Sequence, residues 1–145
     1  MAHEFYEDES LRRILTQTKT IAVVGLSNNP TRASHHVGEF LTRQGYRTFG
    51  INPGLAGQTI AGMQVYASLM DLSEAIDMVD VFRNSQDAAQ VVEETLQLNP
   101  LPKVIWMQLG VINPAAADKA RARGIEVIMD RCPAIEIPRL HLTKR

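Results

Sequence analysis

A glycine, an arginine and three hydroxyl side chains crowd into one short run, Val23-Val24-Gly25-Leu26-Ser27-Asn28-Asn29-Pro30-Thr31-Arg32-Ala33-Ser34. An apolar strand that passes through a glycine into a polar loop and then a helix offers free backbone N–H groups. The helix start also carries a partial positive charge, and the two together suit a phosphate. Arg32 adds a guanidinium able to hold two phosphate oxygens at once. Ser27, Thr31 and Ser34 add hydroxyl donors. The competing reading is a polar connection in which Arg32 is merely solvated.

The loop is not prepared for a dinucleotide. Only Gly25 stands where the fingerprint wants three glycines. The second strand ends in Ile51-Asn52-Pro53, where nicotinamide sites place an acid for the ribose hydroxyls. No Gly-Lys-Ser or Gly-Lys-Thr occurs, so a P-loop is excluded.

Other reactive side chains fall at the ends of further apolar runs. Asp80-Val81-Phe82-Arg83-Asn84-Ser85 puts Arg83 at a strand end, where a ligand contact and a pairing with a nearby carboxylate are equally open. Asp80, inside the run, is expected to have a partner if it is buried. In Trp106-Met107-Gln108-Leu109-Gly110, Trp106 reads as core while Gln108 and Gly110 fall at the mouth. His35 and His36 are adjacent on a helix and point about 100° apart, so they do not share a metal easily. His3 and His141 fit no site. Cys132 has no base assigned to it and reads as buried or quiet. No nucleophile, acid–base pair or metal cluster stands out.

These residues need elements to hold them. Leu11, Ile14, Leu15 and Thr18 recur at helical spacing behind a Ser10 cap. Thr20 to Gly25 reads as a fully buried strand. Ser34 is read as the cap of a helix carrying Val37, Phe40 and Leu41 and closed by Gly45. Tyr46 to Ile51 is a strand, and Met63 to Tyr66 a short edge element. Met78 to Phe82 is a strand followed by a helix through Ala88, Val91, Val92, Thr95 and Leu96, entered at Asn84 or Ser85. Lys103 to Met107 is a strand. Asn113-Pro114 starts a helix that ends at Gly124, and Ile125 to Met129 is the last strand. The alternation predicts one α/β domain, Rossmann-like and doubly wound, with a mainly parallel sheet and helices on both faces. Ligands of such folds bind beyond the carboxyl ends of the strands where the strand order reverses. That places residues 25–34 and 82–85 in the crevice, with 108–113 alongside.

Composition agrees with a single core. The chain has 145 residues, 45% of them hydrophobic, a formal charge of -1 and one cysteine. The charge gives no footprint for nucleic acid, and no run of about 18 apolar residues is present to cross a membrane. One cysteine allows no internal disulfide. MAHEFYEDES is not a signal peptide, so the cytoplasm is the expected compartment.

GLSNNPTRASHHV, INP, VDVFRNS, WMQLGVIN and MDRCPAIE, in this order and spacing, resemble the bacterial stand-alone CoA-binding domain proteins. That family is similar to the N-terminal domain of the succinyl-CoA synthetase alpha subunit. The resemblance implies a cofactor, coenzyme A or an acyl-CoA, held through its ADP part without catalysis by this domain. Carried over, Gly25, Ser27, Arg32 and Ser34 surround the phosphates, and Asn52 and Pro53 lie against the adenosine end. Val81, Phe82 and Arg83 flank the crevice, and Gln108 with Gly110 approach the pantetheine arm. Family members often carry a basic residue after the second-strand proline, and here Gly54 offers no charge to a 3′-phosphate. The synthetase's phosphohistidine belongs to a following domain, so synthetase activity is not expected of these residues. Two other classes stay open: an NAD(P)-linked oxidoreductase on the same fold, and an interaction module with a vestigial crevice. If Cys132 lies near the pantetheine thiol, a mixed disulfide with CoA is a further expectation.

Overall fold

The computed structural model describes residues 5–144; His3 lies outside them. Among these residues seven strands form one sheet: β1 (Thr20–Val24), β2 (Arg47–Ile51), β3 (Thr59–Ile60), β4 (Met63–Tyr66), β5 (Met78–Val81), β6 (Val104–Met107) and β7 (Glu126–Ile128). Five α-helices accompany them: α1 (Asp8–Gln17), α2 (Ala33–Arg43), α3 (Ala88–Thr95), α4 (Pro114–Arg121) and α5 (Pro133–Arg139). The strand order is β3-β4-β2-β1-β5-β6-β7. Among the described residues only the β3–β4 pair is antiparallel. The chain therefore leaves β1 in one direction to β2 and later returns to the other side as β5. This is the reversal of a doubly wound sheet.

Alternation along the buried strands feeds two cores. Ala22, Val24, Val79, Val81, Ile105 and Met107 point to the layer of α3 and α4. Ile21, Val23, Met78, Val104 and Trp106 point to the layer of α1, α2 and α5. Successive strand residues face opposite sides, so continuous apolar runs are what two covered faces require.

Several expected boundaries move. α1 starts at Asp8 behind Glu7, so Ser10 lies inside the helix and does not cap it. Arg32 occupies the cap position of α2, and Ser34 sits in its first turn. Asp87 caps α3, while the Asn84 side chain closes the turn before it by accepting from the Asp87 N–H at 2.7 Å. β4 is not an edge: it pairs with β2 on one side and with β3 on the other. α5 was not expected, because Pro133 and Pro138 both lie in its seven residues. So short a helix draws its stability from packing: Ile137 is buried in the core, and Arg139 bridges Glu136 and Asp8 of α1.

Candidate functional site

The reversal point opens a cleft of about 330 Å3 lined by Gly25, Ser27, Arg32, Ala33, Ser34, Phe82, Arg83, Gln108, Leu109 and Val111. Gly25 shapes its floor. Its φ is 93°, and a Cβ there would stand 2.5 Å from the carbonyl oxygen of Phe82. The ends of β1 and β5 come this close only because residue 25 has no side chain.

The loop above it is tied by its own hydroxyls. The Ser27 N–H donates to Ser34 Oγ at 2.9 Å, and the Asn29 N–H donates to Ser27 Oγ at 3.0 Å. Asn29 in turn accepts from the Thr31 N–H and hydroxyl. Ser27 and Ser34 thus accept from backbone, which fixes their oxygens and leaves each O–H proton free to donate into the cleft. The N–H groups of Ala33 and Ser34, in the first turn of α2, have no partner among the described residues. Neither Arg32 nor Arg83 has an ion-pair partner among them. The strand-end carboxylate considered for Arg83 is not there.

The other loops are held by neighbours. Asn52 Nδ2 donates to the Leu26 carbonyl at 2.8 Å, and Asn52 Oδ1 accepts from the Gly54 N–H at 2.9 Å. Both ends of that side chain are engaged in holding the loop after β1. Pro53 is exposed at the start of a 3-10 turn beside it. Val81 is fully buried in the α3–α4 core, one residue short of the cleft wall. Gly110 is exposed with φ 80°; its N–H donates to Asp130 Oδ1 at 2.7 Å and its carbonyl accepts from Ser85 Oγ. Asn52, Pro53, Val81 and Gly110 therefore surround the cleft without lining it. Ser85, which the sequence already placed at the crevice, and Asp130 hold Gly110 in position. Ser85 Oγ accepts from the Ile112 N–H, and the Ser85 carbonyl accepts from Asn113 Nδ2, so the loops after β5 and β6 are tied together.

Below Phe82, Asp80 is fully buried, and neither carboxylate oxygen has a hydrogen-bond partner. The expected partner is missing, and desolvation pushes its pKa well above the ordinary carboxylate value. Cys132 is buried too, and burial raises its thiol pKa against a weaker opposing bond from Gln108. That leaves little thiolate, which disfavours both a nucleophilic role and ready disulfide chemistry. Trp106 is core, with its Nε1 donating to the Arg131 carbonyl at 3.0 Å. His35 is half-buried and His36 exposed. Among the described residues no group of three His, Cys, Asp or Glu side chains could hold a metal, and no helix is long and apolar enough to cross a membrane.

Two larger hollows lie elsewhere. One, of about 550 Å3, runs along the β7 edge. The other, of about 490 Å3, lies at the opposite end of the sheet by Lys19, Tyr46 and Lys144. Neither is at the carboxyl ends of the central strands, where helix starts and strand loops converge.

Comparison with known proteins shows the family of the chain. A family described as CoA binding domain matches residues 19–138. The chain belongs to the CoA-binding domain family. The uncharacterised protein YneT of Bacillus subtilis is 37% identical over 122 residues, covering 84% of this chain and 87% of its own. A Thermus thermophilus structure, cell-free ID.343, is 38% identical with a TM-score of 0.87, over 93% of this chain and 99% of that one. A hypothetical protein from Pyrococcus horikoshii is 31% identical with a TM-score of 0.87, over 97% and 99% of the two chains. The residues of the cleft all fall inside the matched CoA-binding region.

Proposed function

We propose that this CoA-binding domain holds coenzyme A or an acyl-CoA through its ADP part and performs no chemistry of its own. The observation that carries the reading is the convergence in one cleft of donors that the protein leaves unused. These are the guanidinium groups of Arg32 and Arg83, the O–H protons of Ser27 and Ser34, and the first N–H groups of α2. Free donors around a cleft call for an anion, and Gly25 lets it approach the backbone.

In this reading Gly25, Ser27, Arg32 and Ser34 take the diphosphate. Phe82 and Arg83 flank it, with Val81 supporting them from the core. Asn52 and Pro53 meet the adenosine end on the open side, and the pantetheine arm passes Gln108 and Gly110. A whole CoA is larger than a cleft of about 330 Å3, so its two ends lie along the surface.

The test is a thermal-shift series with CoA, dephospho-CoA, acetyl-CoA, ADP, NAD and NADP. A ligand at a hundredfold its dissociation constant stabilises by about 2.7 kcal/mol. CoA should shift the melting temperature and NAD should not. Equal shifts with CoA and dephospho-CoA mean that nothing replaces a basic residue at Gly54. A shift with NAD alone, or with none of the six, defeats the proposal.

A further inference from the structure

Asp80 lies in the middle of β5, paired in register with Val23 of β1 and Trp106 of β6. Strand alternation puts its side chain on the face of Met78 and Phe82, toward α2 and α5. Gln108, two residues past Trp106, is on the same face; it lines the cleft, yet its Oε1 is buried with no partner. Burial raises the pKa of the Cys132 thiol at the start of α5, and the Gln108 amide opposes that rise. Three acceptor oxygens, two of Asp80 and one of Gln108, therefore lie under the cleft with no donor among the described residues.

Among the described residues no cationic side chain bonds this carboxyl. β1 and β6 present Val23 and Trp106. From α5 come the Cys132 thiol and Glu136, the latter taken by Arg139. α2 turns Val37 and Leu41 to this layer and carries half-buried His35 and exposed His36 in its first turns. Arg32 and Arg83 stand above, exposed in the cleft.

We propose that Asp80 is a proton-holding site beneath the cleft: neutral, it leaves the Gln108 amide to Cys132; ionised, it draws the Gln108 Nε2 donor to itself and weakens the cleft for anions. A bare buried carboxylate is costly, and the nearest side-chain amide on the same face is the group able to relieve it. The step is the loss of one proton from Asp80 to a base in solvent, with no other bond made or broken. The negative charge then sits below the place where phosphates arrive, which fixes the direction of the effect. The link to affinity rests on the CoA reading; the proton site does not.

Trp106, the one tryptophan of the chain, stands opposite Asp80 and reports on it. Its emission, followed against pH in the folded protein, should show a transition above the ordinary carboxylate range. That transition should be absent from Asp80→Asn and kept in Cys132→Ser. The same titration in wild type and Asp80→Asn overturns the site. The carboxyl-carbon resonance of Asp80 in isotope-labelled wild type needs no variant, and an ionised shift wherever free carboxylates are ionised also overturns it. For the coupling, calorimetry with CoA should give affinity about threefold to tenfold weaker on the alkaline side of the transition. Asp80→Asn should lose that difference while keeping whatever part comes from the ligand's own phosphates. An unchanged pH dependence in the variant rejects the coupling. If CoA binds at no pH while the Trp106 transition behaves as expected, the CoA reading fails and the proton site stands.

Discussion

At position 25 a methyl group has nowhere to go. Gly25→Ala places Cβ 2.5 Å from the Phe82 carbonyl oxygen and forces a side chain into φ 93°. Strain and displacement of β5 together should cost about 2–4 kcal/mol in urea unfolding. Arg32 is the opposite case, a side chain the fold does not use. Arg32→Ala should leave stability unchanged and weaken CoA by about 1.5–3 kcal/mol in calorimetry; unaltered affinity would reject a phosphate contact. Asp80 sets a pH dependence of the fold. Its folded pKa is raised, so between the unfolded value and the folded one the native state holds the extra proton. Stability from this group is therefore intact at low pH and falls as pH rises through that window, by about 1.4 kcal/mol per pH unit. Urea unfolding of wild type and Asp80→Asn should diverge with this slope, the variant gaining as pH rises. Gly25, Ser27, Arg32 and Ser34 were legible as a group because strand, glycine, polar loop and helix have a local signature. Asp80 was marked as needing a partner, but no local pattern shows that the fold withholds one.

The elements differ in how much of their cause is local. α4 announces itself: Asn113 Oδ1 accepts from the Ala116 N–H at 3.0 Å, and Pro114 opens the helix. Asn113→Ala loses that cap and also the bond to the Ser85 carbonyl, which ties the loops after β5 and β6. A loss of about 1–2 kcal/mol is expected, measurable by urea unfolding. α2 was expected over the right residues with the wrong cap. Serine favours that position in general, but here the Ser34 hydroxyl sits two residues past the cap, where it accepts from the Ser27 N–H. α5 and β3 escaped altogether. A seven-residue helix containing two prolines and a two-residue strand have too little local preference to be read; α1, α2 and β4 hold them in place.

For the whole molecule, charge separates binding from folding. Arg13–Glu126, Arg47–Glu74 and Lys119–Glu93 are surface pairs of small individual worth. Among the described residues the cleft's arginines have no ion-pair partner, and in the proposed reading they act on a bound anion. Raising ionic strength from about 0.01 to 0.15 M shortens the screening length from about 30 to 8 Å. CoA affinity should fall across that range while the melting temperature of the free protein barely moves; an affinity that ignores salt would argue against an anion held by Arg32 and Arg83. The doubly wound sheet follows from the sequence itself, because apolar runs alternating with amphipathic helices leave few other ways to bury both faces. The position of the cleft follows once the strand order is the doubly wound one, with β2 and β5 on either side of β1. The rest needed tertiary structure. Which arginines go unpaired, which hydroxyls keep a free proton, and whether Asp80 meets a cation all depend on groups distant in sequence. A chain determines its elements through near neighbours, but the charge and donor balance of a site is set by what the packed fold brings beside it.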